Sequence, residues 1–150
     1  MKKLFAACLI VFASVMAQAK TASDVEISEA RIFLPVKGSN ATAGYGVLKN
    51  ISKKSITVEV VSAVPFKAIE LHETLEKDGR MSMQKINQIT IAPNQIFELK
   101  PGGHHIMLFD ASQDLKKDQM VSLVMKINNK EQKFNFKVVP RVESSHSHHH

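Results

Sequence analysis

The 150-residue chain contains one cysteine, no tryptophan and, beyond its N-terminus, no apolar run of membrane-spanning length. One thiol excludes a disulfide framework, a cysteine-based zinc site and an iron–sulfur cluster within a single chain. The missing apolar runs exclude a multi-span membrane protein. Aromatic residues make up 6% of the chain and do not interleave with its basic residues, so no nucleic-acid-binding surface is expected. Of the formal charge of +6, two charges are Lys2 and Lys3 at the N-terminus; the remainder is dispersed, with Lys53-Lys54, Lys116-Lys117 and Lys130 in expected turns, and reads as solvated surface. No Ser-His-Asp or Cys-His arrangement presents itself, and Glu70, Glu73 and Glu76 have no evident partner base, so the chain is not expected to be an enzyme. At 44% hydrophobic and 23% charged, the composition is that of a globular domain, not a disordered one.

The N-terminus reads as an export signal. Met1-Lys2-Lys3 is a short basic segment, Leu4 to Met16 is apolar, and Ala17-Gln18-Ala19 has small residues at the positions a signal peptidase requires. Residues 1–19 are expected to be removed, leaving Lys20 first. Cys8 lies too early in the apolar segment for a lipoprotein signal. Removing 19 residues leaves 131; loss of Lys2 and Lys3 lowers the formal charge from +6 to +4, and loss of Cys8 leaves no thiol. A chain of that size can be held by its core alone. The mature form is expected in the periplasm and not to span a membrane.

The body, residues 20–141, reads as β-structure. Val25 to Phe33 partly alternates, and Ser55 to Val61 is rich in β-branched residues. Ile89–Ile91 and Ile96–Leu99 flank the turn sequence Ala92-Pro93-Asn94-Gln95. Met120–Ile127 and Phe134–Val139 flank Asn128-Asn129-Lys130-Glu131, a hairpin connection with asparagines suited to positive φ. At most one helical turn fits, around residues 113–117. About seven strands at this spacing predict an antiparallel Greek-key sandwich. Two N-x-S/T triplets, Asn40-Ala-Thr42 and Asn50-Ile-Ser52, would matter only in a eukaryotic secretory route.

What the chain does have is histidine and methionine, closely grouped. His72, His104, His105, Met81, Met83 and Met107 all fall between residues 72 and 107. His105-Ile106-Met107 and Met81-Ser82-Met83 have period 2, which puts each pair on one face of a strand. Pro101-Gly102 suits the two central positions of a type II turn leading into His105. Thioether sulfur is soft and favours Cu(I), while two methionines in a shell argue against zinc. A blue-copper site needs a thiolate, which the mature chain lacks. Methionine is also a frequent core filler, so the spacing alone leaves packing and coordination both open. Met120 and Met125, outside the window, are expected to fill core.

The spacing His72, ten residues, Met83, twenty-one residues, His105, one residue, Met107 resembles the H-x10-M-x21-H-x-M pattern of the periplasmic copper chaperones called PCu(A)C. Glu70-Leu71-His72-Glu73, Lys100 to Leu108, Ala43-Gly44-Tyr45 and Lys49-Asn50 are similar to segments of that family. The resemblance covers roughly residues 24 to 140. It implies a cupredoxin-like antiparallel Greek-key β-sandwich that binds Cu(I) through His72, Met83, His105 and Met107. It also implies delivery to a copper-centre subunit of a respiratory oxidase or to a thioredoxin-like copper chaperone. His104 and Met81 are secondary or alternative ligands in this reading. The tail, residues 142–150, carries His146, His148, His149 and His150, an imidazole cluster suited to Cu(II). Two other functions compete with the chaperone: a periplasmic copper buffer or resistance protein without an acceptor, and an interaction sandwich that binds no metal.

Overall fold

The computed structural model describes residues 23–141. The expected signal segment and the His-rich tail lie outside them. Ten strands follow in order: β1 (Val25–Phe33), β2 (Ala41–Asn50), β3 (Ile56–Ala63), β4 (Phe66–Lys77), β5 (Arg80–Ile86), β6 (Ile89–Ile91), β7 (Ile96–Leu99), β8 (His104–Ala111), β9 (Met120–Ile127) and β10 (Lys130–Val139). Among the described residues there is no helix, and so none long and apolar enough to cross a membrane. The helical turn expected at residues 113–117 does not form. That stretch has only a single turn, at Lys117-Asp118, and runs on into β9.

The strands pair in the order β5-β4-β8-β2-β1-β10-β9-β3-β6, with β7 added alongside β2. Every pairing is antiparallel except β1 with β10, which is parallel. The sheet bends over one core, so Leu71, Ile106 and Leu108 from one end belong to the same apolar cluster as Ile56, Val58 and Leu123 from the other. β9 alternates as its sequence predicts, burying Val121, Leu123, Met125 and Ile127. Met125 fills core as expected, but Met120 does not. It stands one strand position off the buried set and is 56% exposed.

Turn chemistry sets the registers. Asn128 and Asn129 have φ of 49° and 65°, the left-handed pair that a two-residue hairpin between β9 and β10 requires. Asp78 and Gly79, at 53° and 72°, do the same between β4 and β5. Gly103 N–H donates to the Lys100 carbonyl at 3.1 Å, and Gly102 has φ of 74°. Pro101-Gly102 therefore form the type II turn that starts β8. In β1 the register slips between Ser28 and Arg31. Gly46 packs against that bulge, where a Cβ would lie 3.4 Å from the Ala30 Cα.

The one fully buried asparagine explains the second N-x-S triplet structurally. Asn50 Nδ2 donates to the carbonyls of Lys54, Ile91 and Ala92 at 2.7, 2.9 and 3.1 Å. Its Oδ1 accepts from the Ser52 N–H and hydroxyl at 2.9 and 2.8 Å. The side chain thus ties the β2–β3 loop to the end of β6. Its amide nitrogen is buried and engaged, so it is not a glycan acceptor.

Candidate metal centre

Residues directly opposite one another in a sheet share a face, and so do residues two apart along a strand. On β4 and β8, His72 faces His105 and Glu70 faces Met107. On β4 and β5, His72 faces Lys85, Thr74 faces Met83 and Glu76 faces Met81. Leu71 and Ile106, the alternate residues, point into the core. His72, Met83, His105 and Met107 therefore all project from the outer face of three adjacent strands. Met107 and Met83 stand diagonally on opposite sides of the histidine pair. Met81 shares the face one further pair along.

The two rings are 5.8 Å apart between centroids. His105 is buried at 5% exposure although it faces outward. Tyr45 covers it, its ring 6.4 Å away, and Phe33 packs on Tyr45 at 5.2 Å. The Arg31 guanidinium lies over the Tyr45 ring at 5.8 Å. Burial pushes the Tyr45 hydroxyl up from its ordinary pKa, against the opposing pull of Arg141 and Arg31. The His72 side chain is 15% exposed. Met83 lies at the other extreme, on the outermost strand and 62% exposed.

Hydrogen bonds fix the state of each ring. His105 Nδ1 lies 3.0 Å from the Gly103 carbonyl. A carbonyl only accepts, so Nδ1 carries the proton and Nε2 of the neutral ring keeps a lone pair. His72 Nε2 lies 2.8 Å from Glu70 Oε2. Lys85 Nζ donates to the other Glu70 oxygen at 2.8 Å. These bonds, that from Lys85 first and that from His72 second, hold the Glu70 carboxyl below the usual carboxylate range. His72 Nδ1 is buried with no hydrogen-bond partner, a state that costs about 1–3 kcal/mol for an ordinary polar group.

This donor set fits a soft ion. Two imidazole lone pairs and two thioethers stand on one face, and no thiolate is among the described residues. Among those residues no three His, Cys, Asp or Glu side chains form a group arranged to hold a metal, so the thioethers are needed to complete a shell. Orienting a ligand histidine through its second nitrogen is the usual arrangement at metal sites.

His104 is not brought to this face. It points the other way with Glu73, its Nε2 3.5 Å from Glu73 Oε1 and its ring edge-on to Phe97 at 4.8 Å. Neighbouring residues on a strand necessarily diverge, so a second ligand beside His105 in sequence is on the wrong side. The tail histidines His146, His148, His149 and His150 lie outside the described residues. Sequence reasoning missed Glu70, Lys85 and Tyr45. Glu70 was legible as the outer-face neighbour of His72, two residues away, and Lys85 as the continuation of Met81-x-Met83.

An outward His/Met face on a cupredoxin-like β-sandwich defines the class, and comparison with known proteins defines the family. The chain belongs to the LpqE-like family, described as "Putative lipoprotein LpqE-like", whose profile matches residues 25–138. It is 30% identical over 118 residues to "Putative lipoprotein Lxx21020" of Leifsonia xyli subsp. xyli, covering 78% of this chain and 70% of that one. It is 34% identical over 88 residues to the uncharacterized protein RP573 of Rickettsia prowazekii, covering 57% of this chain and 49% of that one. Among solved structures, the copper-bound PCuAC domain from PmoF2 superposes with a TM-score of 0.62 at 18% identity, over 79% of this chain and 95% of that one. The Cu(I) form of DR1885 from Deinococcus radiodurans gives 0.59 at 21% identity, over 85% of this chain and 83% of that one. These likenesses establish the fold as that of the PCuAC domains.

Proposed function

We propose that the chain is an exported copper-carrying protein that binds Cu(I) through His72, Met83, His105 and Met107 and hands it to an acceptor. The observation that carries this is the pairing of His72 with His105 across β4 and β8, with both thioethers on the same face. The names of the fold neighbours support it, since two of them are copper-bound proteins. The lipoprotein descriptions of the relatives support export. No catalytic role is proposed, because the site offers no nucleophile paired with a base. The copper is cargo. A copper-centre subunit of a respiratory oxidase, or a thioredoxin-like copper chaperone, is the proposed acceptor, and the periplasm the proposed compartment.

The position of Met83 favours a carrier over a buffer. One donor stands exposed on the outermost strand, where an incoming ligand can replace it before the less exposed histidines let go. The test has two stages. Competition with a chromophoric Cu(I) chelator is expected to show one tight equivalent, lost in His72→Ala and His105→Ala. Mixing the loaded protein with an apo copper-centre domain of an oxidase is then expected to move the ion. Binding without transfer to any such acceptor would leave a buffer. No tight equivalent would leave an interaction sandwich.

A further inference from the structure

The two histidines of the site are held by opposite ring nitrogens. The Gly103 carbonyl takes the Nδ1 proton of His105, whereas Glu70 takes the Nε2 proton of His72. Glu70 does not rest on His72 alone. Its second oxygen is held by Lys85, the residue directly opposite His72 on β5, so Glu70 is braced from the neighbouring strand. With its other oxygen taken up by Lys85, Glu70 faces Nε2 as an acceptor; when the His72 ring carries a single proton, that proton is therefore on Nε2, and Nδ1 bears the lone pair. That same Nδ1 is sealed from water and no protein group satisfies it. Buried polar atoms normally have a partner, and one without calls for an explanation.

We propose that Glu70 is a positioning residue for Cu(I) capture: it fixes His72 as the Nε2–H tautomer, so that His72 binds the ion through Nδ1 while His105 binds it through Nε2. This rests on the copper-carrier reading and deepens it. An electron-pair acceptor is what the orphaned nitrogen lacks, and a carboxylate on the far nitrogen makes the imidazole a better donor. Lys85 keeps the Glu70 carboxylate from swinging into the site as a competing oxygen ligand, an atom Cu(I) prefers less than sulfur or imidazole. The arrangement also removes Nε2 of His72 from competition, so the ion has one available nitrogen on each ring.

The experiment is nitrogen NMR of the histidine rings in full-length mature protein, without and with one equivalent of Cu(I), in buffer well above the ordinary imidazole pKa of ~6.5. Cu(I) is diamagnetic, so both states are observable. Before loading, His72 is expected to show a protonated Nε2 and a bare Nδ1, and His105 the reverse. On loading, the signals that move are expected to be Nδ1 of His72 and Nε2 of His105. Glu70→Ala should lower Cu(I) affinity about tenfold or more. Glu70→Gln, whose amide oxygen still accepts from Nε2–H, should recover most of that loss. A shift at Nε2 of His72 would overturn the proposal and leave the carrier reading standing, as would Glu70→Ala binding Cu(I) as tightly as the unaltered protein. Failure of the unaltered protein to bind Cu(I) would overturn both.

Discussion

His72 and His105 stand directly opposite each other on β4 and β8, with ring centroids 5.8 Å apart, on the face turned away from the core. Such a cross-strand pair is held by the register, and the register is held by core residues: Leu71 opposite Ile106 and Ile69 opposite Leu108. The distance between the two imidazoles is therefore a property of the packed sheet, not of flexible loops. Any ion taken between them meets a site whose nitrogen atoms are already placed.

The methionines separate into three groups by position. Met83→Ala and Met107→Ala are expected to weaken Cu(I) binding strongly, with little effect on folding for exposed Met83. Met125→Ala should keep the copper site but lower stability by about 2–5 kcal/mol, the cost of a cavity in a packed core. Met120→Ala, at an exposed position, should change neither property by more than about 0.5 kcal/mol. Chelator competition and urea unfolding on the same four variants check all three statements. Loss of copper in Met120→Ala would put the ligand assignment in error.

Asn50 is a fully buried polar side chain with five hydrogen bonds. Asn50→Ala removes the partner of three carbonyls and of the Ser52 N–H in one step. Each interaction contributes about 1 kcal/mol net, and buried groups left unpaired cost more, so a loss of about 2–4 kcal/mol is expected in urea unfolding. Asn50→Asp is expected to be as damaging, because a carboxylate cannot donate to those carbonyls.

Acid should loosen the sheet at identifiable pairs. Hydrogen bonding to Lys137 holds Asp118 below its ordinary pKa, and Lys100 does the same to Glu98. A carboxylate whose folded pKa is depressed adds stability at pH values above its unfolded pKa, near ~4, and loses that contribution as pH falls through the lower folded value. Stability is therefore expected to decline from about pH 4 downward. Asp118→Asn should flatten part of that decline by lowering stability slightly at neutrality and leaving the acid end unchanged, as followed by urea midpoints across the acid range.

The two termini make a separate prediction. The exported protein should begin at Lys20, as read by N-terminal sequencing; a chain beginning at a lipid-modified Cys8 would overturn this. Deleting residues 142–150 should leave Cu(I) binding unchanged and remove Cu(II) binding, if His146, His148, His149 and His150 gather the oxidised ion. Imidazoles protonate near ~6.5, so Cu(II) uptake by the full chain should fade as pH falls through about 6. Equal Cu(II) uptake by both forms would make the tail a passenger.

How much of this was legible depended on how far each strand was buried on one side only. The β9–β10 hairpin could be read because Val121, Leu123, Met125 and Ile127 alternate cleanly and two asparagines mark the turn. The Lys100–Gly103 turn and His105-Ile106-Met107 could be read for similar local reasons. β4 and β5 were harder. In β4 only Leu71 is fully buried, and in β5 no residue is, so alternation gave almost no signal there. The parallel pairing of β1 with β10 joins the two ends of the chain and leaves no local trace. Glu70 carries no local mark of its role: a carboxylate two residues from a histidine shares its face only when the segment is a strand. His104 stands beside His105 in sequence, but a strand turns adjacent side chains to opposite faces, so its place with Glu73 follows only once β8 is known to be a strand.

Among the described residues, strand β5 has one neighbour in the sheet, β4. In native-state hydrogen exchange, such an edge segment is expected to open at a lower free energy than global unfolding. Met81 and Met83 ride on it, while His72, His105 and Met107 sit on strands paired on both sides. The site thus joins a well-anchored side to a weakly anchored one, and slow exchange of the β4 and β8 amides beside fast exchange in β5 is the expected signature.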